Sequence, residues 1–199
     1  PKVNNFDWVE YQYPIYRFPR FTAGYNPDDG VLIGAGFWKR TFGFRKDPYS
    51  SDQRLSAMYA PNRGAYRLRF AGDYVHLFAE NDLLINVELV SPTLNNFFGL
   101  GNNTEIDKDK NIQYYRARYK YVLADAMVKK RISGTLSVAA GPSFYHYWYD
   151  QSDNRNKILE KPSLIGLDSA AVYTNKADLG AKAGIYIDNL NSEMFPTRG

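Results

Sequence analysis

The side chains able to do chemistry are few and scattered. The 199 residues contain no cysteine, so neither a disulfide framework nor thiol chemistry is available. The two histidines, His76 and His146, are far apart and sit among aromatic residues. Metal-dependent phosphoester hydrolysis needs clustered Asp, His and Asn ligands, and no segment supplies them. A Ser-His-Asp set can be assembled on paper, but no sharp turn presents a nucleophile. Asp28 and Asp29 are acids of the kind that bind calcium. Without further ligands beside them they read as turn formers in Asn26-Pro27-Asp28-Asp29-Gly30. The expectation is a chain with no catalytic residues, no metal site and no cofactor.

Basic residues at a spacing of two are more informative. Arg67 and Arg69 alternate with apolar neighbours, as do Arg116, Arg118 and Lys120, and Lys182 lies in a similar row. Alternation places such residues on one face of a strand. The six are expected to face a wet interior, with Asp73, Glu88, Asp178 and Asp188 as partial partners. A salt-bridged, solvated interior is the plain reading. The sharper one is a positive lumen that favours anionic segments or holds an acidic plug. A net charge of +4 is too mild to argue for nucleic acid.

Strands must position these residues. Residues 1–19, with several prolines and aromatics, read as an irregular lead-in. Strands follow at Arg20–Asn26, Val31–Phe42, Gln53–Ala60, Ala65–Ala79, one through Ile85, Val87 and Leu89, Ile112–Val122, Ser133–Tyr149 and Ala177–Asp188. Gly43–Asp52 reads as a polar connection, Ser91–Asn111 as a long loop and Ala124–Arg131 as a turn. Asp150–Tyr173 reads as a polar loop with room for a short helix around Ser163–Ala171. Aromatics are 16% of the chain, with 17 Tyr and 12 Phe. Tyr and Trp favour places with one apolar and one wet end, such as membrane interfaces. Mean hydropathy is −0.49, but membrane barrels hide their apolar face by alternation. No apolar run reaches the ~20 residues of a spanning helix. The fold class expected is all-β: a transmembrane antiparallel β-barrel segment over residues 20–199, with about eight strands.

Three landmarks carry a resemblance. The last strand runs into Asp188 and a turn ending Phe195-Pro196-Thr197-Arg198-Gly199. The first hairpin reads Gly24-Tyr25-Asn26-Pro27-Asp28-Asp29-Gly30. Between them lies Asn96-Phe97-Phe98-Gly99-Leu100-Gly101-Asn102. In this order they resemble the barrel domain of the BamA/TamA-type bacterial surface antigen superfamily, with wording nearest to Bacteroidetes-like variants. Some of those carry a calcineurin-like phosphoesterase domain ahead of the barrel. The resemblance implies a bacterial outer-membrane location and a sixteen-stranded barrel, of which this chain supplies strands one to eight. It implies insertion or translocation of proteins or lipids through a labile seam at the first strand, here Arg20, Phe21, Thr22, Ala23, Gly24 and Tyr25. The partners it implies are outer-membrane lipids, the missing strands, and client proteins or accessory lipoproteins. The alternatives are the barrel portion of a phosphoesterase fusion whose active site lies outside this chain, and a passive eight-stranded barrel.

Overall fold

Turn chemistry sets the frame. In the first hairpin the Asn26 side chain accepts from the Asp28 N–H at 3.0 Å and donates to Asp29 at 3.1 Å, and Gly30 takes φ +81°. An Asx-type closure followed by a residue free to adopt positive φ reverses the chain tightly. The second tight turn, Pro61-Asn62-Arg63-Gly64, ends on Gly64 at φ +65°. The computed structural model describes residues 12–44, 46–101, 104 and 106–189, with the backbone alone for Asp47. Within them the chain forms β1 (Ile15–Asn26), β2 (Gly30–Gly43), β3 (Lys46–Ala60), β4 (Ala65–Phe78), β5 (Asn81–Asn96), β6 (Arg116–Arg131), β7 (Leu136–Trp148) and β8 (Lys176–Ile187). Each strand pairs antiparallel with its sequence neighbours, giving one eight-stranded sheet in the order β1 to β8. The α-helical content described is the single short α1 (Ser169–Tyr173). No ladder among the described residues joins β1 to β8, so the sheet is open at both.

Register divides the residues between two faces. One transverse row runs Phe37, Leu55, Phe70, Val87, Ala124, Phe144, Leu179 from β2 to β8. A second runs Phe21, Ala35, Ala57, Leu68, Leu89, Val122, His146, Ala177 across all eight strands. The intervening row reads Gly36, Ser56, Arg69, Glu88, Leu123, Tyr145, Asp178, and the row beyond Phe37 reads Trp38, Arg54, Ala71, Asn86, Asp125, Ser143, Gly180. Side chains alternate faces along each strand, so one face is almost wholly apolar and the other is polar and charged.

The polar face is the enclosed side of a curved sheet: Asp52 and Asp125 are 5% and 3% exposed there, whereas Leu68 and Phe144 on the apolar face are 41% and 39%. Arg116 and Arg118 on β6 form ion pairs with Asp28 and Asp29 in the β1–β2 turn, the second at 2.8 Å. Four ladders separate β2 from β6, about 19 Å across a flat sheet. An arginine and an aspartate cannot span that together, so the sheet is rolled at this end.

Several boundaries differ from the sequence reading, mostly because strands run on through polar residues. The expected lead-in shortens, because Ile15–Pro19 already belongs to β1. The Gly43–Asp52 connection contracts to a few residues, because β3 begins at Lys46. β5 continues to Asn96 through a bulge between Val90 and Thr93, so the loop is shorter than Ser91–Asn111. Ile112–Tyr115 is a 3₁₀ turn rather than strand. Ala124–Arg131 is no turn but the second half of β6, where Asp125 pairs with Lys182 of β8 and Lys129 with Asp82 of β5. In the turn motif Asp188 donates its N–H to the Thr135 carbonyl at 2.8 Å. Phe195, Pro196, Thr197, Arg198 and Gly199 lie outside the described residues.

Gly141 lies opposite Met127, and a Cβ there would run into the Ala126 carbonyl. Gly134 has open space around it. Gly141→Val should therefore lower stability by about 1–3 kcal/mol through overpacking. Gly134→Ala should stay within about 0.5 kcal/mol. The denaturation midpoints of both variants check this, and equal midpoints would mean that β6 and β7 separate freely.

Candidate functional site

The concave face holds an aromatic and charged network centred on Asp52, which is 5% exposed. Asp52 accepts from Trp38 Nε1 at 3.0 Å, Arg40 Nε at 2.7 Å and Arg54 Nε at 2.8 Å. The guanidinium carbons of Arg17, Arg40 and Arg54 lie 5.0, 5.5 and 5.9 Å from the Trp38 ring centre. Arg40 also stacks over Tyr49 at 4.5 Å, and the Tyr49 hydroxyl donates to Asp73 at 2.9 Å. Strand pairing explains the assembly: Arg40, Asp52 and Asp73 share one transverse row, Trp38 and Arg54 the next. A cavity of about 350 Å³ lies beside it, lined in part by Tyr49, Asp73, Asn86 and Met127. A cation between an aromatic face and a buried carboxylate is held by both. The network therefore holds Arg40 and Arg54 from both sides, and Arg17 by the Trp38 ring.

The basic residues expected to share one lumenal row divide into three sets. Arg67 pairs with Glu88 at 3.2 Å, and Arg69 lies opposite Glu88 in the ladder. Lys182 pairs at 2.8 Å with Asp125, which also accepts from Ser143 at 2.6 Å. Arg116, Arg118 and Lys120 do not join these. They belong to the rolled end of the sheet, where Arg116 and Arg118 meet Asp28 and Asp29 and Lys120 meets Asp150 at 3.3 Å and Asp153 at 3.6 Å. Of the expected partners, Glu88 serves Arg67, whereas Asp73 serves Tyr49. Asp125 and Asp52 do the work that the sequence reading assigned elsewhere, because both lie in segments read as connections.

The long β7–β8 connection packs onto that rolled end. Asn154, fully buried, takes the place of a strand partner where β7 has ended: its Oδ1 accepts from Arg118 N–H at 2.7 Å and its Nδ2 donates to the Arg118 carbonyl at 2.6 Å. Tyr149 and Tyr173 anchor the connection through the Leu159 and Glu160 carbonyls, at 3.0 and 2.6 Å. Hydrogen bonds from Ser152 hold the Asp150 carboxyl below the usual carboxylate range, and Lys120 adds to the effect. His146 lies between Phe144 and Trp148 on the apolar face. Among the described residues no three His, Asp or Glu side chains gather as metal ligands.

Arg20 to Tyr25, expected from the sequence to form a seam, lie on β1, one edge of the sheet, paired with Gly36 to Val31 of β2. The ladder is interrupted between Arg17 and Arg20, where Pro19 offers no N–H. Comparison with protein-family models, curated proteins and solved structures gives no match.

Asp52→Ala should destabilise the protein by about 2–4 kcal/mol, because it strands the partly buried Arg40 and the indole N–H of Trp38. Arg54→Ala should cost less than about 1 kcal/mol, its side chain being 64% exposed. Denaturant titration of the two variants tests the ranking; the reverse order would remove Asp52 from the centre of the network.

Proposed function

We propose that this chain is a segment of an outer-membrane β-barrel of the surface antigen type, which inserts or translocates proteins or lipids through a weak seam at β1. The observation that carries the membrane part is the uncovered apolar face. Phe21, Leu179, Ile185 and Ile187 are 73–82% exposed there. Each such side chain gains about 1.5–3 kcal/mol on leaving water, and lipid is a medium that would receive the whole face at once. Strands of 12–16 residues exceed the ~9–11 that a tilted barrel strand needs to cross hydrocarbon. Tyr25, Tyr59, Tyr66 and Trp148 lie towards the rolled end of the strands, as an interfacial aromatic girdle requires. Open edges fit a partial rather than a closed eight-stranded barrel, since the bilayer does not tolerate unpaired backbone groups. The interrupted ladder beside Arg20–Tyr25 supports the weak seam.

These 199 residues contain no cysteine, so each introduced cysteine is the sole thiol of this segment. In membranes, Leu68→Cys and Phe144→Cys should resist a water-soluble maleimide, whereas Ser56→Cys and Arg69→Cys should react. Equal labelling at all four positions would sink the membrane reading. The assembly role has its own test: depleting the protein in its native cell should lower the levels of other outer-membrane barrels, and unchanged levels would exclude that role.

A further inference from the structure

At the rolled end of the sheet, three positive side chains from two separate elements converge without carboxylate partners. Arg63 comes from the β3–β4 turn, and Arg155 and Lys157 from the β7–β8 connection. They line one cleft of about 420 Å³ together with Arg116, Arg118 and Asp28. Two acids of this region are engaged directly, Asp28 by Arg116 and Asp29 by Arg118; Asp153, which also lines the cleft, lies 3.6 Å from Lys120 and keeps one oxygen without a hydrogen bond, so it offsets one positive charge at most. Among the described residues no carboxylate forms an ion pair with Arg63, Arg155 or Lys157. Among the described residues the Arg63 side chain donates only to the Asp28 carbonyl, at 3.4 Å. Arg116 spends a terminal nitrogen on Asp28 and leaves its Nε buried with no acceptor. The cleft thus holds three cations outside these ion pairs and one unused donor.

We propose that this cleft binds a phosphate group, either free or carried on a lipid headgroup. Two guanidinium forks and an ammonium around one cavity match an anion with several oxygens and more than one negative charge. A single carboxylate would leave two of the three charges unanswered. The frame is fixed before binding, because the salt bridges to Asp28 and Asp29 and the Asn154 amide bonds hold β6, the first turn and the loop together. The electrostatic state of Lys157 agrees. Burial first, then the charges of Arg118 and Arg63, push its ammonium down to about 8, against weaker opposition from Asp153 and Asp28. Asp109, Lys110, Glu160 and Lys161 face it across the neighbouring groove. An anion in the cleft would favour the charged form, so binding near pH 8 takes up protons and weakens as Lys157 deprotonates from about pH 7 to about pH 9.

The test uses the full-length protein in detergent, titrated calorimetrically with inorganic phosphate, and the same protein in nanodiscs with or without phosphatidylglycerol. The triple variant Arg63→Gln/Arg155→Gln/Lys157→Gln should bind at least about tenfold more weakly, while Lys130→Gln, at the opposite end of β6, should bind as the parent does. Lys157→Arg should keep the affinity and lose the extra proton uptake seen near pH 8 in buffers of different ionisation enthalpy. Binding of inorganic phosphate identifies a free ligand; binding confined to phosphatidylglycerol discs identifies a lipid source. No binding of either, or equal affinity of the parent and the triple variant, overturns the proposal. The phosphate arm is read in detergent, so it stands or falls separately from the membrane reading.

Discussion

Through the middle of the sheet every ladder keeps a register in which the same face stays apolar from β1 to β8. That constraint is collective. A slip of one residue in any ladder would carry the charged set of that strand onto the apolar face and reverse all strands beyond it. Residues at several points pin the register. Arg40, Asp52 and Arg54 tie β2 to β3, Arg67 and Glu88 tie β4 to β5, and Asp125 with Ser143 and Lys182 ties β6 to β7 and β8. These contacts are individually modest where exposed. Their value lies in penalising the slipped arrangement, which would place the same charges where no partner waits. The tight turns at Asn26–Gly30 and Pro61–Gly64 fix register at the other end of each hairpin.

Strand number, order of segments and the alternating faces were legible in the sequence because a period of two survives even in strands that are polar on average. Tyr66, Leu68 and Phe70 against Arg67 and Arg69 is the plainest case. Boundaries were less legible for a physical reason. A strand whose inner face is wet can contain Asp, Lys and Ser, the same residues that mark turns. Ala124–Arg131 reads as a turn on that account, and Gly43–Asp52 as a connection. Both contain the carboxylates that organise the concave face. The position of Asp52 between Trp38, Arg40 and Arg54 depends on which residues lie opposite one another across two ladders, and spacing along one strand does not encode that. The split of the six basic residues was hidden similarly: Arg116 and Arg118 obey the same alternation as Arg67 and Arg69, but they lie beyond the end of β7, where the loop rather than a strand meets them.

The rolled end couples features that are distant in sequence. Asp28 and Asp29 do turn-forming work in the first hairpin, and they also receive Arg116 and Arg118 from β6. The hairpin that carries the β1 edge is therefore anchored at its tip, while its other end, near Ile15, lies past the interruption between Arg17 and Arg20. An anchored tip and an interrupted base give β1 unequal stiffness along its length.

The two sheet edges differ accordingly. β8 pairs with β7 without a break from Lys176 to Ile187, so its outer edge presents an unbroken set of backbone groups to whatever strand lies beside it. β1 carries Pro19 and a register shift, so a strand added there would find fewer donors and a kink. On the barrel reading, the sheet would grow from β8 with a full ladder and close on β1 with a weaker one. The weak closure then follows from the missing N–H of one proline and a local bulge, with no need for a dedicated moving part. Anchoring of the β1–β2 tip by Arg116 and Arg118 would confine opening to the Ile15 end, so the seam would part from one side like a flap rather than along its whole length.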